Sequence, residues 1–378
     1  MHRAFARAIA VLLLAAPGVR AETSSWVGHG AAGEGARKSP PPAAKAPAQR
    51  AKAEPTLATP LYHPKGAARE RPGGLPRLPP PVVDGDNTSS VAKTPTADEN
   101  AAYDAFDQGK YLTALELAGK AADKDDPQAH TLIGRIYAEG DGTARNPTLA
   151  AEWYARGAEL GDPQAMFAYG MLLVEGLGVP KNHEAAAQML EAAAVRRHPL
   201  ANYNLALLFL TGDGKPQNPY RGFLHMRFAA ESGVVAAQYD LGTLFATGNG
   251  VDANAFEAAK WIGKAAAAGS PEAELDFGVL LFEGRGVPPD QQRGARMFKA
   301  AAEQGVAVAQ NRLARCYAHG AGVEMNVVEA ATWHLIAKAG GEEDKNLDEL
   351  VARLSKGERA KAEKAAEAWR QKLLVQLE

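Results

Sequence analysis

Residues 237–269 read AQYDLGTLFATGNGVDANAFEAAKWIGKAAAAG, and this stretch decides the fold because it recurs. Its first alanine, Ala237, has counterparts at Ala129, Ala165, Ala201, Ala273 and Ala309, an unbroken spacing of 36 residues. Its glycine pair, Gly248/Gly250, recurs as Gly140/Gly142, Gly176/Gly178, Gly212/Gly214, Gly284/Gly286 and Gly320/Gly322. A fixed period in the range of about 20 to 50 residues marks units that bury a face only by stacking on their neighbours. The chain is therefore expected to be a solenoid.

Start and stop signals at fixed offsets divide each unit into two helices, A and B. Helix A opens with a capping side chain followed by proline in Asp126-Pro127, Asp162-Pro163 and Ser270-Pro271. Val234 and Val306 stand at that place in two other units, so those starts are expected to be looser. Helix A ends at the first glycine of each pair, which takes the left-handed conformation of a C-cap without a Cβ penalty; the second helps turn the loop. Helix B opens at Asn146, Asn182, Asn218, Asn254, Asp290 and Asn326, all N-cap types, and closes near Gly161, Gly233, Gly269, Gly305 and Gly341. Arg197 interrupts that last series.

The apolar positions between these marks keep helical spacing. Helix A is expected to bury Ile133, Tyr169, Leu205, Leu241, Phe277 and Leu313, then Ile136, Leu172, Leu208, Leu244, Leu280 and Cys316 one turn on. Helix B adds Trp153, Trp261 and Trp333, with Met189 and Met297 at the equivalent site. The alanine runs at 192–194 and 265–268 read as strong helix formers that let helices approach closely.

The pattern Ala237-Gln238-Tyr239-Asp240-Leu241-Gly242, Gly248-x-Gly250-Val251, Ala258-x-x-Trp261 and Ala265-Ala266-x-x-Gly269 resembles the Sel-one-like repeat, a relative of the tetratricopeptide repeat. The resemblance covers residues 128–341 as six repeats. It implies a right-handed superhelix of antiparallel helix pairs used for protein contacts and complex assembly. It also makes periplasmic regulators of exopolysaccharide signalling and assembly factors for polymer secretion plausible relatives.

The ends suit a solenoid. Residues 97–127, with Tyr103, Phe106, Tyr111, Leu115 and Leu117, read as an N-terminal capping helix pair with a short Gln108-Gly109-Lys110 turn. Residues 342–378 read as C-terminal capping helices: Leu347, Leu350, Val351 and Leu354 give one amphipathic face. Ser355-x-x-Glu358 is a capping box that opens a last helix through Trp369, Leu373 and Leu374.

Residues 1–21 read as a cleavable secretory signal: His2, Arg3 and Arg7, an apolar stretch over 8–16, and Val19-Arg20-Ala21 before Glu22. The stretch falls short of the about 20 residues that span a bilayer, and no later segment qualifies, so no membrane span is expected. No cysteine lies near the cleavage site, so a lipoprotein is not expected, and the protein is placed in the periplasm or outside the cell. Residues 22–96 read as a disordered arm rich in Pro, Ala and Gly, with Pro40-Pro41-Pro42 and Pro79-Pro80-Pro81. Up to residue 97 there are 13 Lys+Arg against 6 Asp+Glu, leaving 29 against 38 beyond it, so the arm is basic and the solenoid acidic. The arm could touch anionic envelope polymer or serve as a solvated spacer, and the near-neutral whole gives no case for nucleic acid.

Catalytic patterns are missing: no Gly-x-Ser-x-Gly, no His-Glu-x-x-His, no phosphate-binding loop and no paired cysteines. Ser90-Val91-Ala92-Lys93 matches Ser-x-x-Lys but falls in the arm, where nothing holds a nucleophile against its base. His130, His183, His198, His225, His319 and His334 lack metal-ligand spacing and read as surface or packing residues. The single Cys316 reads as a small core residue. It leaves no disulfide framework like that of cysteine-rich family members for which β-lactam chemistry has been proposed. No catalytic residue, cofactor or metal is expected.

What remains is a surface. The resemblance to tetratricopeptide repeats implies a concave face lined by three helix A positions per repeat. These are Thr131, Arg135, Ala138; Phe167, Met171, Val174; Tyr203, Leu207, Leu210; Tyr239, Thr243, Ala246; Leu275, Val279, Phe282; and Asn311, Arg315, Ala318. The middle repeats are apolar there. Phe167, Met171, Val174, Tyr203, Leu207, Leu210, Tyr239, Leu275, Val279 and Phe282 are therefore the candidate groove for a partner's peptide or helix. The alternative is that curvature buries much of this face between repeats. The function expected is an exported, non-enzymatic interaction scaffold or regulator of the bacterial envelope. The alternatives are an enzyme acting on peptidoglycan or β-lactams, and an adhesin for a host protein.

Overall fold

The computed structural model describes residues 97–377. The expected signal (1–21) and arm (22–96), with Ser90 and Lys93, lie outside the described residues, as do the side chains of Leu373 and Leu374. The helices are α1 (Ala97–Asp107), α2 (Tyr111–Ala122), α3 (Pro127–Glu139), α4 (Pro147–Glu159), α5 (Pro163–Glu175), α6 (His183–Val195), α7 (Pro199–Thr211), α8 (Pro219–Glu231), α9 (Val235–Thr247), α10 (Ala255–Ala267), α11 (Pro271–Glu283), α12 (Gln291–Glu303), α13 (Ala307–His319), α14 (Val327–Ala339), α15 (Lys345–Arg353) and α16 (Lys356–Leu377). The fold is all-α, a solenoid of consecutive helix pairs from α3/α4 (repeat 1) to α13/α14 (repeat 6). Each helix packs on its pair partner and then on the helix that follows.

The capping signals do their work at both ends of helix A. Asp126 accepts from the backbone N–H of Gln128 and Ala129, and Ser270 accepts from that of Ala273. Gly140, Gly176, Gly212, Gly248, Gly284 and Gly320 are all left-handed C-caps. All six Asn or Asp residues before helix B accept an amide at its first turn. The expected looseness at Val234 and Val306 does not appear in the backbone. Their angles, φ −69°, ψ 109° and φ −72°, ψ 106°, match the capped starts, and only the side-chain bond is missing. Packing on two neighbours sets the start, and a cap worth about 1 kcal/mol only reinforces it.

The core differs from the expected one at three places. Of the second helix A layer, Leu172 is only half-buried and Leu173 turns inward instead. In helix B, Trp153 and Met297 are half-buried, and the deepest layer is the next residue: Tyr154, Leu190, Met226, Ile262, Phe298 and His334. That layer explains the small residue in the middle of helix A. A Cβ at Gly242 would stand 2.5 Å from Ile262 Cγ1, and one at Gly278 would stand 2.6 Å from Phe298 Cε1. The third difference is the second glycine of each pair, which does more than turn a loop. At Gly286, with φ +72°, a Cβ would meet the carbonyl oxygen of Ala255 at 1.9 Å, and Gly178, Gly250 and Gly322 meet the matching carbonyls of Pro147, Pro219 and Gln291 in the same way. From repeat 2 onward each loop thus seats backbone on backbone against helix B of the preceding repeat, which is why the period admits no side chain there.

Beyond repeat 6, Asp344 caps α15 and Leu347 is buried, while Leu350, Val351 and Leu354 are half-buried. Ser355 and Glu358 form the capping box, the Ser355 N–H donating to Glu358 at 3.0 Å and the Glu358 N–H to Ser355 Oγ at 3.3 Å. The α16 helix then buries Ala362 and Ala366 and sets Trp369 edge-on to Trp333 at 6.1 Å.

Candidate protein-binding face

The three helix A positions of each repeat have different fates. At the first position the side chains bond the next repeat. The Tyr203 hydroxyl donates to Asp240 Oδ2 at 3.0 Å, and the Tyr239 hydroxyl to Asp276 Oδ2 at 2.7 Å. Thr131 donates to the Asp162 carboxylate, and Asn311 donates to Asp344 Oδ2 at 3.4 Å, which Arg315 Nε also reaches at 2.6 Å. These rungs tie successive A helices together. Two members differ: Phe167 stacks on the His198 ring at 4.8 Å, and Leu275 packs into the core cluster of the last repeats.

Two of the rung carboxylates, Asp240 and Asp276, are poorly solvated. Burial pushes Asp240 up to about 6 against the lowering effect of the Tyr203 hydroxyl, and burial likewise raises Asp276 against Tyr239, Arg312 and Arg285. On the last turn of α5, burial raises Glu175 to about 7, with Arg145 opposing.

At the second position Met171, Leu207 and Val279 are half-buried, with Thr243 between them in sequence, and Arg135 and Arg315 mark the two ends. At the third position Val174 and Leu210 are 5% and 3% exposed, so they offer a partner almost nothing. Leu210 lies against Gly222, where an added Cβ would meet its Cγ at 2.7 Å, and Phe282 stacks on Phe298 at 5.3 Å beside Gly294. Of the ten candidate groove residues, Tyr203 and Tyr239 are thus engaged in rungs, and Val174, Leu210 and Phe282 in packing. Phe167, Leu275 and Val279 are partly covered, the last two by the core cluster of the final repeats, and Met171 and Leu207 keep part of their apolar surface exposed.

Sequence reasoning missed two features. Tyr220 and Phe256, 62% and 65% exposed, hold the same helix B position in repeats 3 and 4; aligning the units at their 36-residue period would have put them in one column. The rung aspartates were legible as well, since each stands 37 residues after its tyrosine. Two histidines serve structure. His198 Nδ1 caps α7, and His334 is fully buried with Nε2 at 2.9 Å from Asp348 Oδ1 and Nδ1 without a hydrogen-bond partner. Cys316 is 4% exposed and burial pushes its thiol up to about 12. Among the described residues no group of His, Cys, Asp or Glu gathers where it could hold a metal ion, and no helix is long and apolar enough to cross a membrane.

The profile of the Sel1 repeat matches the chain six times, at 127–162, 163–194, 199–234, 235–270, 271–306 and 307–342, passing over 195–198. Among solved structures the chain is similar to a Sel1 repeat protein from Oxalobacter formigenes, with 27% identity and a TM-score of 0.57 over 66% of this chain and 98% of that one. It is also similar to c5321, a protective antigen present in uropathogenic Escherichia coli strains that displays an SLR fold, with 24% identity and a TM-score of 0.49 over 72% of this chain and 68% of that one. Among curated proteins none matches.

Proposed function

The chain belongs to the Sel1 repeat family, whose repeats generally serve as protein–protein interaction scaffolds, and from that premise we propose that it is an exported, non-enzymatic scaffold or regulator of the bacterial envelope. It holds a peptide or helix of a protein partner on the helix A face of repeats 2 to 5. The observation that supports this is the partly exposed apolar strip of Met171 and Leu207, bordered by rungs that already fix the spacing of the helices behind it. A preset spacing lowers the ordering cost of binding, so a few anchors can carry the affinity.

Export rests on the signal-like residues 1–21 and the predicted cleavage before Glu22. A fusion to alkaline phosphatase should be active outside the cytoplasm with a mature chain starting near Glu22; a full-length cytoplasmic protein would remove the envelope from this reading. Partner capture from envelope extract, followed by binding of the purified partner to the wild-type protein, tests the scaffold role. Hydrolysis of a chromogenic β-lactam or of peptidoglycan by the purified protein would replace it with the enzyme reading.

A further inference from the structure

The junction between repeats 2 and 3 departs from the other repeats in residues 195–198, the stretch that the family profile skips. Arg197 occupies the left-handed position at φ +63° that is glycine at five sister junctions, and His198 stands where Asp126, Asp162 and Ser270 cap helix A and where Val234 and Val306 leave it uncapped. The histidine cap requires one protonation state. His198 Nδ1 accepts from the Ala201 N–H at 3.1 Å, so the ring proton resides on Nε2, which faces Gln164 Oε1 at 2.9 Å. A second proton has to enter at Nδ1. It would turn the cap acceptor into a donor aimed at an N–H, and it would place a cation at the positive end of α7.

We propose that this junction is an acid-sensitive joint: protonation of His198 abolishes the cap of α7 and destabilises its first turn where repeat 3 meets repeat 2. The surroundings bear on the direction. Burial lowers the His198 pKa, while the nearby Asp162, itself the cap of α5, raises it. Arg196 and Arg197 stand at the end of α6. From α8, His225 Nδ1 contacts Asn202 Oδ1 at 2.9 Å, and Asn202 Nδ2 donates to the His198 carbonyl at 2.9 Å and to that of Ala194 at 3.4 Å. With the Asn202 amide donating to two carbonyls, its oxygen needs a donor, and His225 supplies Nδ1–H whether neutral or charged. Only His198 loses a bond on protonation.

Above about pH 6.5 the ring is neutral in both folded and unfolded chains and the cap is intact. As pH falls below that value the unfolded chain takes up the proton before the folded one, so stability at the joint falls. Raised carboxylates such as Asp240 and Glu175 act in the opposite sense over part of this range, so global melting mixes two signs and a local readout is required. Met171 on α5 and Leu207 on α7 stand on either side of the joint.

The test is hydrogen exchange by mass spectrometry on the full chain at pH 7.5 and 5.0, with rates corrected for intrinsic pH dependence. The peptide holding Ala201 should lose about fivefold in protection in acid, the scale of a lost N-cap. Peptides holding Ala165 and Ala273, capped by Asp162 and Ser270, should stay within twofold, and His198→Asn, which keeps a capping oxygen that does not titrate, should abolish the acid response. An unchanged wild-type peptide, an equal loss at the control caps, or a response that persists in His198→Asn would overturn the proposal.

Discussion

The junction at Gly269-Ser270 and the junction at Arg197-His198 place their caps on nearly the same backbone by different chemistry. Ser270 sits at φ −70°, ψ 118° and His198 at φ −70°, ψ 119°, each following a left-handed residue, glycine at φ +85° or arginine at φ +63°. Val234 and Val306 reach a similar conformation with no cap bond. Junction geometry is therefore imposed by packing between repeats, above all by the loop glycine seated on the preceding helix. The residues at the junction decide how firmly, and at what pH, that geometry is held.

The most severe way to break this equivalence is to remove the seat. Gly286→Ala puts a Cβ against a backbone oxygen in a left-handed conformation, and neither can yield, so urea unfolding should show a loss of about 3 kcal/mol or more. Gly341→Ala has the same conformational problem with nothing within 4 Å, and should lose only about 1 kcal/mol. Equal losses would mean that φ alone explains the glycines. Arg197→Gly should regularise the odd junction and gain somewhat under 1 kcal/mol, since relief of the left-handed arginine outweighs its contact over the Phe228 ring at 5.2 Å. Smallest, Val234→Ser supplies the missing cap at a backbone already shaped for it, and should raise stability by about 0.5 kcal/mol. A loss there would show that the valine's packing matters more than a cap.

Much of this was legible in the chain. The 36-residue register, the helix caps and the left-handed glycines follow from local chemistry, and even the break at Arg197 could be located. The helix B core was assigned in part: Met189, Trp261 and Trp333 are buried as expected, but Trp153 and Tyr154 are adjacent and both apolar, and periodicity cannot choose between neighbours until helix packing fixes the rotation. The His198 cap escaped notice because a histidine accepts at Nδ1 only in one tautomer, set by Gln164 in the neighbouring repeat. The binding face was the least legible part. Whether Tyr203 or Leu210 is open depends on the next repeat and on helix B, so a list of helix A positions includes residues that the stack itself consumes.

The central claim is that stacking and binding are carried by different residues, and one paired measurement tests it: affinity for the purified partner and urea midpoint, in Leu207→Ser and in Gly286→Ala. Loss of a hot-spot anchor worth about 2 kcal/mol should weaken binding by roughly 30-fold in Leu207→Ser while its midpoint moves little; Gly286→Ala should do the reverse per folded molecule. A Leu207→Ser protein that unfolds early yet binds normally would contradict the account and return this strip to the core.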